Sequence, residues 1–362
     1  MSRTSGAAVA VAVVAVVGVA GTALAEGGWT GEEFPGRPDM ASYVSTVSSG
    51  GGATWAFGTY GPPGSPVSTT AQGFRRDDGG RWSEVPMPNI GQVASSAVTG
   101  PDNAWVVSQF SKFSRGATLH WDGQAWTEVP LVVPDAPRIS PRDVAAAGPD
   151  VWVVGSAYRD GEAPLSRSFA QRWADGGWQG VALPPETDEQ VFTSIGGAAA
   201  DDLWMAGTTA GRPQQLVSMH WDGVRWSHVP VPPLDTGQSD YLTVHDVAAF
   251  RPDDVWLSAT RTPYDDPEAS QPVLVHWDGS VWTRQDLPVP VSELGELVQA
   301  GGALWNLSPE ALLRYDGTGW QQVDGPREGA LGNGAELPDG RLVGTGSGGD
   351  SYQPQPFAVV QN

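Results

Sequence analysis

The chain has 362 residues, too many for most single hydrophobic cores unless the domain is built from repeats or closed as a barrel. It contains 47 glycines and 31 prolines and only 17% charged residues, a composition that favours short strands and turns over helices. The formal net charge of −21 argues against binding to nucleic acid or to anionic membranes, and the absence of cysteine excludes disulfides and thiolate chemistry.

Residues 1–25 predict a secretory signal peptide. Arg3 supplies a minimal positive start, Ala7–Ala20 is a run of small apolar residues, and Ala23-Leu24-Ala25 fits the A-x-A cleavage rule. A retained membrane anchor is the alternative, but the apolar run is short for a bilayer and no basic cluster follows it. We therefore predict a secreted, extracellular domain over residues 26–362, with no membrane span after cleavage.

A unit of about 50 residues recurs through this predicted domain. Each unit contains an apolar strand A, a turn of the G-P-D-D kind, a strand B with V-W-x-x-G, a loop of variable length, a strand C that ends in H-W-D-G, and a strand D that begins with tryptophan. Strand B carries Trp55, Trp105, Trp152, Trp204, Trp256 and Trp305. A seventh copy, Arg341-Leu342-Val343-Gly344, keeps the pattern without the tryptophan. Four short strands per unit are typical of a β-propeller blade.

The ends of the predicted domain complete each other. Strand D is missing after the seventh strand B, whereas Glu26-Gly27-Gly28-Trp29 matches the start of strand D at Asp175-Gly176-Gly177-Trp178. Pro356–Val360 occupies the position of strand C in the last unit. We therefore predict an all-β fold, a seven-bladed β-propeller of four-stranded blades, closed by pairing of the N-terminal strand with the C-terminal strand. This pairing protects two strand edges.

All 17 tryptophans fall on a predicted strand B, C or D. Large rings at a repeated strand position fill the space between blades, so we expect these residues to form the core. Ligand contacts are then expected from other aromatic residues.

The unit, written V-W-x-V-G … R-x-D-G-x-x-W-x-x-V-P, resembles the tectonin repeat of β-propeller lectins with a longer B–C loop. It is similar, more loosely, to Asp-box and kelch-type blades. The resemblance covers nearly all of residues 26–362. It implies the propeller fold, and it implies lectin-like binding of carbohydrate as an expectation about function.

Repeated histidines and aspartates suggest metal sites, but their positions argue against this. His120, His220 and His276 occupy one repeat position in three blades, so the ring should hold them apart, whereas zinc ligands converge on one ion. The recurring aspartates of the C–D turn offer one carboxylate per turn, far fewer oxygens than calcium takes. We expect a strand-face role for the histidines, Asx-type caps for the aspartates, and no metal or cofactor.

Asp143 and Asp246 fall at equivalent positions of strand A, with Ser194 in register. Strand A lines the central channel of a propeller, so these carboxylates have two interpretations. They can act as an acid and base pair, with His245 as a neighbouring base, or they can hydrogen-bond to an adjacent blade. The second interpretation is favoured.

The B–C and D–A connections vary most in length and emerge on the same face of a propeller, which we call the loop face. Variable loops on a rigid scaffold are where binding residues concentrate. The candidate ligand-binding residues on these loops combine aromatic rings with arginine and aspartate: Tyr158, Arg159, Asp160, Tyr241, Arg261, Tyr264, Asp265 and Asp266.

Three functions fit this sequence. The first is non-catalytic, lectin-like binding of an extracellular glycan, with the protein as a possible subunit of a larger secreted assembly. The second is docking of a protein partner without glycan binding, and the third is hydrolysis or elimination on a polysaccharide. We expect the first.

Overall fold

The computed structural model describes residues 28–64, 69–109, 116–133, 136, 138–158, 166–349 and 351–362. These residues form seven antiparallel sheets of four strands each, which confirms the predicted seven-bladed propeller. No helix within the described ranges is long and apolar enough to cross a membrane. The predicted signal peptide lies outside the described residues and stays a prediction.

Each blade is built from four successive strands, except that the last blade takes its outer strand from the N-terminus. The first strand is β1 (Trp29–Glu32). Blade 1 contains β2 (Ala41–Gly50), β3 (Ala53–Gly61), β4 (Thr70–Arg76) and β5 (Trp82–Glu84). Blade 2 contains β6 (Val93–Gly100), β7 (Asn103–Ser108), β8 (Ala117–Trp121) and β9 (Trp126–Glu128). Blade 3 contains β10 (Arg138–Ala147), β11 (Asp150–Tyr158), β12 (Ser166–Ala174) and β13 (Gly177–Val181).

The remaining blades follow the same order. Blade 4 contains β14 (Gln190–Ala199), β15 (Asp202–Thr209), β16 (Leu216–Trp221) and β17 (Trp226–Val229). Blade 5 contains β18 (Tyr241–Arg251), β19 (Asp254–Thr262), β20 (Gln271–Trp277) and β21 (Trp282–Arg284). Blade 6 contains β22 (Leu297–Ala300), β23 (Ala303–Leu307), β24 (Leu312–Tyr315) and β25 (Trp320–Val323). Blade 7 contains β26 (Asn333–Glu336), β27 (Leu342–Gly348) and β28 (Gln355–Gln361), and short 3₁₀ turns cover Pro185–Glu189 and Pro267–Ala269.

The ring closes as the sequence predicted. Strand β1 pairs antiparallel with β28, with Trp29 opposite Gln361 and Glu32 opposite Ala358. The Trp29 indole donates to the carbonyl of Asp324 (3.1 Å) and its ring lies edge-on to Trp305 at 6.4 Å. The N-terminal strand is therefore the outer strand of blade 7.

Tryptophans form the contacts between blades, as predicted. The strand B tryptophan of blades 1 to 4 packs against the strand C and strand D tryptophans of the following blade. The ring centroids are 4.7–5.8 Å apart, in Trp55 with Trp121 and Trp126, Trp105 with Trp173 and Trp178, Trp152 with Trp221 and Trp226, and Trp204 with Trp277 and Trp282. Burial of these rings supplies much of the hydrophobic stabilisation of the ring.

The junction between blades 7 and 1 is packed without a strand B tryptophan. Val343 takes the register position that tryptophan holds in the other blades, opposite Ala335 of the inner strand. The space is filled by Phe34, whose ring centroid lies 4.9 Å from both Phe74 and Trp82. The segment after β1 therefore belongs to the core of the ring.

A buried ion pair connects β1 to blade 1. Glu32 binds the guanidinium of Arg76 (2.5 Å), both side chains being 10% exposed, and it accepts the Trp82 indole N–H at 2.9 Å. Removing one partner of such a pair leaves a buried charge without compensation, which costs about 3–5 kcal/mol. We expect Glu32→Ala to lower the free energy of unfolding in urea by about this amount.

The neighbouring Glu33 provides a matched control because it is exposed on the same segment. Glu33→Ala should change the free energy of unfolding by less than about 0.5 kcal/mol. Equal losses in the two variants would show that the pair does not secure the junction.

Candidate functional site

A ring of polar side chains lines the central channel, one per blade, each on the inner strand or, in blade 6, directly before it. In blades 1 to 5 a β-bulge lies directly before this position, as between Val44 and Thr46 or between Val244 and Asp246. Bulges re-aim side chains at sheet edges. We call this set the channel belt, and its members are Thr46, Ser95, Asp143, Ser194, Asp246, Glu296 and Asn333.

The belt residues bond each blade to the next. Five of them accept the backbone N–H of the residue that follows the belt position in the next blade: Ser95 from Val144 (3.4 Å), Asp143 from Ile195 (2.8 Å), Ser194 from Val247 (3.0 Å), Asp246 from Leu297 (3.0 Å) and Glu296 from Gly334 (2.9 Å). Thr46 bonds the Ser96 hydroxyl (2.9 Å), and Asn333 donates to the carbonyl of Val44 (3.4 Å). The belt thus joins all seven blades in one direction around the channel.

This arrangement confirms that Asp143 and Asp246 bond to neighbouring blades and that Ser194 is in register with them. Sequence reasoning missed the third carboxylate, Glu296, because the inner strand of blade 6 is short and starts one residue later. The sequence did contain a detectable pattern, since each of these acids directly precedes an apolar residue of the inner strand, as in Asp246-Val247 and Glu296-Leu297.

The belt carboxylates lie in a low-dielectric, crowded environment. Burial, followed by the charge of Asp143, raises the pKa of Asp246 to about 7. Burial raises the pKa of Asp143, and burial followed by the charge of Asp246 raises the pKa of Glu296 well above its ordinary value. The three groups therefore disfavour simultaneous ionisation.

The central cavity, about 640 Å³, is lined by six of the seven belt residues, all but Ser194, and by His245. Burial lowers the pKa of His245 to about 4, so its imidazole is neutral at physiological pH. The hydroxyl of Thr260 accepts the Leu294 N–H (3.3 Å) and lies within hydrogen-bond distance of His245 Nε2 (2.8 Å).

A second cavity of about 580 Å³ opens on the loop face where blades 7, 1 and 2 meet. Its walls come from the B–C loops of blades 1 and 7 and the D–A connection between blades 1 and 2, so both kinds of variable loop do share one face. Tyr43 and Tyr352 are exposed in it by 43% and 63%. We call it the tyrosine cavity, and it shares Ser45, Ala94 and Gln109 with the central cavity.

The candidate residues chosen from the sequence lie elsewhere or outside the described ranges. Tyr241, Arg261, Tyr264, Asp265 and Asp266 belong to blade 5, at the end that faces the loops, and none lines either cavity. The Arg261 guanidinium is engaged by Asp240 at 2.6 Å, whereas Tyr264 is 71% exposed.

Blade 3 carried the other candidates. Tyr158 ends β11 and is half-buried opposite Arg138, and Arg159 and Asp160 lie outside the described residues. A binding role for all eight residues stays a prediction.

The repeated histidines have structural partners. His120 Nε2 bonds Asn103 (2.9 Å), His220 Nε2 bonds Asp202 (2.8 Å) and His276 Nε2 bonds Asp254 (2.9 Å), each within its own blade. Each imidazole also lies against the strand B tryptophan of that blade. The described residues hold no group of three or more His, Cys, Asp or Glu arranged for a metal ion.

The aspartates of the C–D turns act as Asx caps. Asp122 Oδ1 accepts the N–H groups of Gln124 (2.9 Å) and Ala125 (2.8 Å), and these bonds lower the pKa of its carboxyl. Asp222, Asp278 and Asp316 repeat this geometry.

No family model and no curated protein sequence matches this chain. Solved structures match over most of its length. YCF48 bound to D1 peptide is 15% identical with a TM-score of 0.54, over 94% of this chain and 98% of the other. YCF48 from Cyanidioschyzon merolae is 13% identical with a TM-score of 0.55, over 92% and 99%. A polysaccharide lyase of family PL25, an ulvan lyase, is 9% identical with a TM-score of 0.57, over 88% and 93%. At these identities the similarity extends to the fold alone.

Proposed function

We propose that this protein is a secreted recognition propeller that binds extracellular carbohydrate on its loop face and leaves it chemically intact. The tyrosine cavity carries the proposal, because it combines two exposed aromatic rings with neutral hydrogen-bonding groups in an open concave site. Binding pockets for small ligands have about 300–1,000 Å³ and a few convergent polar groups, which this cavity of about 580 Å³ matches.

The hydrogen bonds of the channel carboxyls support the proposal that the protein does not cleave the glycan. A polysaccharide hydrolase needs an acid and a base that act on the substrate. Asp143 and Asp246 line the central cavity, but both oxygens of each carboxyl accept hydrogen bonds from neighbouring blades. A propeller of this shape is compatible with both glycans and peptides, since the family PL25 lyase also matches as a complex with -[GlcA(1-4)Rha3S]- and YCF48 was found with D1 peptide. The exposed tyrosines beside neutral amides favour the glycan here.

A glycan array probed with residues 26–362 tests the proposal. We expect retention of at least one class of glycan, with no release of reducing or unsaturated ends from that glycan in solution. An array without any retained glycan would contradict it. Turnover by the parent protein that disappears in Asp246→Asn and in His245→Ala would favour the enzyme instead, and capture of peptides alone would favour protein docking.

A further inference from the structure

The charge distribution around the tyrosine cavity distinguishes between classes of glycan. Among the described residues that line this cavity there is no Asp, Glu, Lys, Arg or His. The described lining therefore offers a carboxylate or sulfate on a ligand no counter-charge, and desolvating an uncompensated charge is costly. An uncharged sugar meets no such penalty.

The neighbouring central cavity adds to this discrimination. Its described lining holds four carboxylates, Asp143, Asp246, Glu293 and Glu296, against Arg142. Arg142 Nη1 donates to Gln109 Oε1 (2.9 Å) at the border between the two cavities. Because burial raises the pKa of Asp143, Asp246 and Glu296, an anionic ligand would be repelled mainly by the net charge of −21 on the chain.

The two tyrosines are held in place from behind. Buried Gln72 donates its amide to the carbonyl of Tyr43 (3.0 Å) and to the Ser42 hydroxyl (2.8 Å), which fixes the backbone that presents Tyr43. The ring of Tyr352 packs over Gly64, where an added Cβ would lie 2.4 Å from Cε2 of the ring. The Gly64 N–H also donates to the Tyr352 carbonyl at 3.2 Å. Such preorganisation reduces the entropy lost on binding.

We infer that the tyrosine cavity is the glycan site and that it selects uncharged sugars, with Tyr43 and Tyr352 as the aromatic contacts and Gln92 and Gln109 as hydrogen-bonding groups. The inference rests on the proposed carbohydrate binding. A sugar presents an apolar C–H face and a rim of hydroxyls, and this cavity offers both types of partner.

Calorimetric titration of residues 26–362 tests the site. The probes are uncharged tetrasaccharides from mannan, cellulose and galactan, with tetragalacturonate as the anionic counterpart. We expect at least one uncharged probe to bind more than about tenfold more tightly than tetragalacturonate, and Tyr43→Ala and Tyr352→Ala each to weaken it roughly tenfold or more, as truncated hot-spot aromatics do. Gly64→Ala, which keeps both tyrosines but displaces the Tyr352 ring, should also weaken it.

Tyr264→Ala tests the blade 5 loops as the alternative site. Val224→Ala is the control, because this side chain is 81% exposed and lies outside the cavity. It should bind as the parent does, and melting temperatures of the tyrosine variants should stay near that of the parent. Unchanged affinity in Tyr43→Ala and Tyr352→Ala, or a loss confined to Tyr264→Ala, would overturn the site while leaving the proposed function standing. A preference for tetragalacturonate would overturn the selectivity, and no binding of any array glycan would overturn the function itself.

Discussion

Deletion of residues 26–36 is expected to abolish cooperative folding of the ring. The deletion removes β1 and with it the pairing to β28, the Trp29 contact with Trp305, the Glu32–Arg76 ion pair and the Phe34 ring. Truncation of one buried tryptophan alone costs about 3–5 kcal/mol, and a typical domain has about 5–15 kcal/mol in total. The combined losses therefore approach or exceed the stability of the whole propeller.

Thermal unfolding followed by near-ultraviolet circular dichroism measures this effect, since tryptophan packing dominates the signal. A synthetic peptide of residues 26–36 should restore part of the transition, and the same peptide with Trp29→Ala should not. A deletion variant that melts within a few degrees of the parent would show that β28 does not need its N-terminal partner.

Asp246→Asn is expected to make the protein more stable at pH 8 and to flatten the dependence of stability on pH. The raised pKa of about 7 means that the folded ring retains a proton that the unfolded chain releases near pH 4. Unfolding thus releases a proton between these two pH values. The contribution of this carboxyl to the free energy of unfolding is therefore greatest below about pH 4 and declines as the pH rises to 7. The rise of this pKa from its ordinary value near 4 to about 7 corresponds to a change of about 4 kcal/mol in the free energy of unfolding.

The asparagine can keep the contacts of Asp246 with Leu297 and Ser194. Its carbonyl can accept the Leu297 N–H, and its amide can donate to Ser194, whose hydroxyl proton then goes to Asp143. The free energy of unfolding in urea should therefore be similar in variant and parent near pH 4.5 and exceed the parent's by several kcal/mol at pH 8.

Asp316→Asn is the control, because this exposed turn carboxyl has a lowered pKa, caused first by the Thr318 hydroxyl. A carboxyl with a lowered pKa stabilises the fold at and above the ordinary pKa of aspartate, and this effect is lost only as the pH falls below that value. The difference in free energy of unfolding between Asp316→Asn and the parent should therefore stay constant between pH 4.5 and 8. An Asp246→Asn variant with an equally constant difference would refute the account of the belt.

The sequence predicted the fold because its repeat encodes the blades directly. The tryptophan spacing determined the blade count, and the match between Trp29 and Trp178 revealed how the ring closes. Phe34 matches Leu183 in the repeat, but its role was not predictable, since the repeat does not show that its ring takes the place of the missing tryptophan. Only the three-dimensional junction shows that Val343 leaves space for it.

The site was less predictable than the fold. Asp143 and Asp246 were recognisable because the repeat aligns them, but the blades that they bond depend on distances across the channel. Tyr43 lies on an inner strand and Tyr352 on a loop more than 300 residues away, so no local pattern connects them. Tyr264 stood out in the sequence because its neighbours are charged, a feature that indicates exposure without showing a cavity.

The central claim is tested most directly by mass spectrometry of an oligosaccharide that the glycan array identifies as a ligand. This oligosaccharide is incubated for a long time with residues 26–362 and then recovered from the complex. If the loop face binds carbohydrate without acting on it, the oligosaccharide is retained by the protein and recovered at its original mass. Recovery of shortened chains or of chains with unsaturated ends, or failure of the protein to retain any glycan, would contradict the account.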